Sequence, residues 1–429
     1  MPRGGVAQPY GQPIGSPLKG ASSKARRRRA ESWEGATLPP IFQTASHFHP
    51  TAESLSQTFA GQTTDHIYLR LSNPTNRILE NKLALLEGGR EAIAMSSGMA
   101  AVANTCLALL RAGDEFVTGN SLFMSTYVLF TKVFSKYNLT ARMVEPTDVK
   151  ALAEAINEKT RFVFMETIGN PKLDIPDLRQ IAQIAHQEGI PLIVDNTLAT
   201  PYLCRPFDLG TDVVLHSTTK YLSGHGAVVG GIVIDRGGFD WSQGRFPDFK
   251  PFIDRKGPLA LLDKIWREHH INFGTTQSPF HAYLTMLGLD TLALRMERIM
   301  KNASLLAGYL RGRSEVAWVN YPGFKEHPSQ TTAARQFQDK GFGGMITFGL
   351  KDQAACFKFI SGLRLIYHLA NLGDCKTLVI HPASSQYVSF DEGTRQDLGI
   401  RSDMIRLSVG IEDVEDLYED LEQALKAGD

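Results

Sequence analysis

Across residues 115–217 the chain alternates short apolar runs with amphipathic ones. EFVTG is followed by a helical pattern over 126–137, ARMVE by one over 148–158, RFVFMET by one over 178–187, and PLIVDN and DVVLHS close the series. Apolar runs of this length, separated by helical segments, are the pattern of strands buried on both faces and joined by crossovers. The chain is therefore expected to be α/β, with a large, mainly parallel sheet covered by helices. In such a sheet ligands bind at the carboxyl ends of the strands. Asn170, Asp195 and Lys220 all fall there.

Lys220 closes the strongest of these runs, in VVLHSTTKYLSGHGAVVGG. An apolar strand feeds a hydroxylic cluster (Ser217, Thr218, Thr219), then the lysine, then a glycine-flanked turn, which presents an amine beside groups able to bind an anion. Upstream, IPLIVDNT ends a second strand in Asp195. A lysine for covalent capture of a carbonyl cofactor and a carboxylate for a pyridinium nitrogen together read as a pyridoxal 5'-phosphate (PLP) site. The turn at residues 96–98 in AMSSGMAAV supplies a helix N-terminus, where the N–H groups of Gly98 and Met99 favour phosphate. With Ser97, Ser217 and Thr219 it forms a phosphate cup. A dinucleotide site is excluded, because Gly224 and Gly226 lack the third glycine at the required offset.

Composition narrows the class further. The 429 residues carry a formal charge of +0, which gives no global attraction to nucleic acid. Cys106, Cys204, Cys356 and Cys375 are far apart, with no metal spacing, and fit a reducing compartment, the cytoplasm. No apolar run reaches the length of a membrane span. Residues 1–36 are rich in Gly, Pro, Ser and basic side chains, and are expected to be a disordered basic tail.

Five motifs in order, ETIGNP, VDNT, HSTTKYLSGH, HPAS and RLSVGIE, give the chain a resemblance to the Cys/Met-metabolism family of PLP enzymes. The resemblance runs from about Pro39 to the C-terminus and implies PLP-dependent transferase fold type I, with a smaller C-terminal α/β domain. It divides the chain into an arm (37–75) that contacts a partner subunit, a PLP-binding domain (76–280) and a C-terminal domain (281–429). It implies a homodimer or homotetramer in which Tyr68 and Arg70 cross to a neighbour's cofactor phosphate, Arg being suited to phosphate by its planar fork. It further implies that Asn170 contacts the cofactor, that Phe123 stacks on its ring, that Arg406 binds the substrate's α-carboxylate, and that Asn371 also contacts the substrate.

Phe123 stands where many relatives have tyrosine, so it can stack but cannot donate a proton. That departure leaves Tyr68 or the released Lys220 as the acid. Asn371 resembles the acetylhomoserine branch, and Met124 and Ser125 depart from methionine gamma-lyase. The expected reaction is γ-replacement on O-acetyl-L-homoserine by sulfide or a related thiol, giving homocysteine. The alternatives are a cystathionine gamma-synthase or an enzyme using a carbon or amine nucleophile. Three lesser expectations complete the reading: His269 and His270 are not a ligand pair, residues 240–252 form a surface excursion near the site, and residues 284–310 form one helix.

Overall fold

A computed structural model describes residues 36–428, so the expected basic tail lies outside the described residues apart from Ala36. From Ile41 onward the chain forms one unit. Its principal sheet has seven strands: β1 (Glu91–Met95), β2 (Glu115–Gly119), β3 (Thr140–Val144), β4 (Thr160–Glu166), β5 (Leu192–Asp195), β6 (Val213–Ser217) and β7 (Gly231–Asp235). They lie in the order β1-β7-β6-β5-β4-β2-β3. Neighbours are parallel except around β7, which runs antiparallel to both β1 and β6. Because Phe162, Val163, Phe164, Leu192, Ile193, Val213 and Val214 are all buried, both faces are covered, which explains the unbroken apolar runs.

The covering helices follow from apolar residues at helical spacing. Leu178–Gln187 buries Leu178, Ile181, Ala182 and Ala185, and Asp177 caps it by accepting from Gln180 N. Pro74–Glu87 starts from an Asn73 cap with proline in its first turn, and stops at Gly88, whose φ of 82° is left-handed.

A second, five-stranded sheet comprises β8 (Trp318–Asn320), β9 (Met345–Gly349), β10 (Tyr367–His368), β11 (Leu378–Ile380) and β12 (Met404–Ser408), ordered β10-β11-β12-β9-β8. Helices Gln353–Gly362 and Val414–Gly428 pack on it through Cys356, Phe359, Leu417 and Leu421, against Phe348, Ile405 and Leu407. Residues alternate across a strand, so with Ile405 and Leu407 in this core, Arg406 faces the opposite side.

Two expectations are corrected. Residues 284–310 are not one helix but parts of two, Pro279–Asp290 and Leu292–Arg311, separated at Thr291. The second helix joins the two cores. Leu292, Met296 and Ile299 pack with the first sheet's cluster, and Ala303, Leu306 and Leu310 with the second's. Residues 240–252 are not a surface excursion, since Trp241, Phe246, Phe249 and Phe252 are buried together and the Trp241 and Phe249 rings stack at 4.9 Å. Burying each such ring stabilises by about 1.5–3 kcal/mol, which outweighs the loop-forming bias of the intervening polar and proline residues.

Candidate active site

Four strands of the principal sheet deliver polar groups at their carboxyl ends: β2 through the segment leading to Phe123, β4 through Glu166, β5 through Asp195, and β6 through Ser217. Asp195 opposes Glu166 in the β4–β5 register and Leu215 in the β5–β6 register. The turn after β6 then carries Lys220.

Lys220 Nζ donates to Asn371 Oδ1 at 2.5 Å. Burial, with the Arg406 cation adding to it, lowers the Lys220 ammonium to about 8, so the free amine is accessible near neutrality. Two features hold the turn. Arg295, itself buried, donates to Tyr221 O at 2.7 Å and to Gly288 O at 2.6 Å. Gly373, at φ 73°, passes so close that a Cβ there would lie 2.7 Å from Tyr221 N and 3.1 Å from Lys220 Cβ.

Asp195 commits one oxygen to Thr197, whose hydroxyl and N–H donate to Oδ1 at 2.5 and 3.0 Å. Thr197 Oγ1 in turn accepts from Ser217 N at 2.8 Å, linking the aspartate to β6. Burial raises the Asp195 carboxyl above the ordinary value, and the Thr197 bonds and nearby His216 oppose it. Beside it Glu166 accepts from Phe123 N at 2.7 Å. Burial, then the Asp195 charge, holds the Glu166 carboxyl well above the ordinary range.

Helix Gly98–Leu109 begins at the same end of the sheet. Its cap Ser97 accepts from Ala100 N at 3.0 Å, leaving the Gly98 and Met99 N–H groups at the free helix end. Gly98 lies against Ser217, where a Cβ would fall 2.7 Å from Ser217 Cβ. Thr219 Oγ1 accepts from Gly230 N at 3.1 Å, closing the turn around Lys220.

On β12, Arg406 is only 2 % exposed and reaches this site from the second sheet. Its Nη1 donates to Asn170 Oδ1 and to Gln386 Oε1, both at 3.1 Å, and Nη2 to Asn371 O at 3.2 Å. Lys220, Asn371, Arg406 and Asn170 are thus one connected group. Tyr68 and Arg70 are not joined to it: Arg70 Nη1 donates to Ile271 O at 2.7 Å and its guanidinium lies 5.4 Å from the Tyr68 ring centre. Both are exposed and border an open groove of about 720 Å³, lined also by His49, Leu55 and Phe59.

Sequence reasoning passed over Glu166, Thr197, Arg295 and Gln386. The signal for Glu166 was present, because RFVFME ends a buried strand in an acid just as LIVD does. Gln386 lies in SSQYVSFDEG, a segment that departs from the threonine-rich form common in the family, whereas Thr197 and Arg295 carried no such signal. His269 and His270 lie in the π-helical turn Ile265–His270, where burial lowers both, His270 to about 4.

The sequence of residues 22–426 matches a family model described as Cys/Met metabolism PLP-dependent enzyme. The chain belongs to this family. Similar members include O-acetyl-L-homoserine sulfhydrylase 1 of Thermus thermophilus, 40 % identical over 401 residues (90 % of this chain, 94 % of that one). L-methionine gamma-lyase of Pseudomonas putida is 39 % identical over 395 residues (92 % and 93 %). Among solved structures, a putative O-acetylhomoserine (thiol)-lyase of Campylobacter jejuni, which contains N'-pyridoxyl-lysine-5'-monophosphate, superposes with a TM-score of 0.87 at 32 % identity, covering 92 % of this chain and 96 % of that one. As a Cys/Met-metabolism PLP-dependent enzyme the chain has the expected type I α/β fold and uses PLP.

The residues present fit that cofactor. Both Thr197 donors go to Asp195 Oδ1, which leaves Oδ2 to accept from a ring N–H. Lys220 is a partly buried amine with a lowered affinity for its proton, and a free helix end lies against Ser217. When bound, PLP supplies a carbonyl that captures amines and a ring that withdraws electrons from the captured carbon.

Proposed function

We propose that this enzyme replaces the γ-substituent of O-acetyl-L-homoserine with sulfide or a related thiol, giving homocysteine and acetate. The observation that carries this choice is Phe123, whose side chain has no proton to give. Acetate departs as a stable anion and needs little protonation, whereas a thiolate depends on a positioned acid. Asn371, which accepts from Lys220 Nζ, supports the same branch.

In this reading Lys220 attaches the cofactor and, once released, carries protons at the substrate's α and β carbons. Its lowered pKa suits both directions of transfer near neutrality. Asp195 would hold the ring nitrogen of the bound cofactor protonated. Arg406, with Asn371 and Asn170, fixes the α-carboxylate. Ser97, Gly98, Met99, Ser217 and Thr219 cup the phosphate, and Phe123 stacks on the ring. Tyr68 and Arg70 serve the neighbouring copy of a homodimer or homotetramer. Their exposure beside an open groove, together with the exposed Phe48 and Phe59, supports an arm that packs on another subunit. The arm is residues 37–75, the cofactor-binding domain 76–280 and the C-terminal domain 281–429. The substrate is a small amino acid, and the compartment is the cytoplasm, supported by four cysteines that form no disulfide. No helix among the described residues is long and apolar enough to cross a membrane.

A second reading, cystathionine gamma-synthase chemistry with cysteine or replacement by a carbon or amine nucleophile, shares every step up to acetate loss. The test is to present acetyl-, succinyl- and phosphohomoserine, each with sulfide and with cysteine, and to identify the product. Homocysteine from the acetyl ester should dominate. Faster cystathionine formation would move the assignment to the second reading.

A further inference from the structure

Arg406 is a buried cation that has no carboxylate partner among the described residues, and its Nε makes no hydrogen bond. Such a group calls for an anion from outside the chain. Two amide oxygens share its Nη1, those of Asn170 and Gln386, each at 3.1 Å. A guanidinium only donates, so both amides must turn their oxygens toward it and their NH2 groups away. Neither NH2 has a partner among the described residues, and neither is sealed from solvent.

Gln386 is held firmly enough to use this geometry. The preceding turn is pinned by Ser385 Oγ, which donates to His381 O at 2.6 Å, and by His381, whose ring nitrogens bond Ser384 Oγ and Ser402 O, each at 2.8 Å. The following residue, Tyr387, is buried with Phe390, Leu398 and Ile400 against Met124 and Tyr127. The backbone on either side of Gln386 is therefore fixed to the turn that leads into the Arg406 strand and to the segment that follows Phe123.

We propose that Gln386 is a specificity-determining residue that, beside Asn170, donates an amide N–H to the substrate α-carboxylate held by Arg406. The inference rests on the reading of Arg406 given above. The subsite then offers one cation and neutral donors, which suits a single carboxylate.

The probe is 4-acetoxybutanoate, O-acetylhomoserine without its amino group, which cannot join the cofactor and reports carboxylate capture alone. It is titrated into the holoenzyme by calorimetry. Gln386→Ala removes the donor and should weaken binding about tenfold. Gln386→Glu, of the same size, sets a carboxylate on Arg406 and should weaken binding on the order of a hundredfold. Cofactor absorbance and Tm, unchanged from the parent, show that each variant is folded and loaded. If Arg406→Lys weakens binding while both Gln386 variants stay within twofold of the parent, this inference alone is overturned. A parent that does not bind the probe overturns the Arg406 reading and this inference with it.

Discussion

Glu166 and Asp195 end adjacent parallel strands in register, one carboxylate accepting from the backbone of Phe123 and the other from Thr197. Two acids this close do not both ionise readily in a buried site. Their environments separate them. Asp195 has two donors and His216 nearby opposing the effect of burial, whereas Glu166 has one donor and the Asp195 charge beside it, so the Glu166 carboxyl is pushed well above its ordinary value and favours the protonated form.

The first prediction follows from that difference. A carboxyl whose folded pKa is raised binds more protons than the unfolded chain at pH values above its ordinary 4.5, so its contribution to stability falls as pH rises toward the folded value. Glu166→Gln keeps the oxygen that accepts from Phe123 and removes the proton. Its Tm should match the parent's near pH 4 and exceed it by about 2 °C at pH 8, with turnover within about threefold. Thermal unfolding of both holoenzymes across that range is the measurement. A parent that is the more stable of the two at pH 8 would show that Glu166 is ionised in the fold.

The second concerns Lys220. Its amine is lowered to about 8, first by burial and then by Arg406. Recapture of PLP by cofactor-free protein needs the uncharged amine, so its rate should rise with pH and level off above about 8. Arg406→Gln removes a cation that disfavours the ammonium, and should move the inflection to higher pH. Lys220→Ala should abolish both covalent capture and turnover. Stopped-flow absorbance reads the rates. An inflection near the ordinary lysine value of 10.5 in the parent would contradict the burial argument.

How far the sequence carried this picture depends on what each residue's neighbours are. Asp195 was legible because a charge at the end of an unbroken apolar run has few structural uses, and Lys220 because it follows a hydroxylic cluster at the next strand's end and pairs with Asp195. Arg406 was legible for the same reason as Asp195, being flanked by Ile405 and Leu407. Gln386 was not, since it sits in an irregular segment whose bond to Arg406 joins residues 20 apart. The aromatic residues of 240–252 were misread because prolines and polar residues obscure any periodicity, and only packing against the sheet's face reveals that the rings are interior. The break at Thr291 was hidden in an apolar helical pattern that continues on both sides of it.

A third prediction tests whether the site is shared. Arg70 contacts Ile271 and not the Lys220 group, so in this reading each chain completes its neighbour's phosphate cup. Arg70→Ala and Lys220→Ala should each be inactive or nearly so. Subunit exchange between them should restore up to about a quarter of the parent activity, because a hybrid dimer contains one intact site in two and half of the dimers are hybrids at equal mixing. Hybrids demonstrated by mass and lacking activity would place Arg70 in its own subunit's site.

The last prediction returns to Phe123, whose N–H is anchored by Glu166 and whose ring ends in carbon. Phe123→Tyr keeps the backbone bond and the stacking surface, and adds a hydroxyl where a departing γ-group could use a proton. General acid assistance contributes about 10²–10⁴-fold where a leaving group depends on it. Acetate, a stable anion, depends on it little; the thiolates released from methionine or cystathionine depend on it more. The substitution should therefore raise thioether elimination by about tenfold or more, while acetylhomoserine replacement changes by less than about threefold. Both rates are to be measured on one preparation with matched PLP content. Efficient cleavage of methionine or cystathionine by the unmodified enzyme would remove the reason for choosing replacement over elimination, because it would show that another group already supplies the proton that Phe123 cannot.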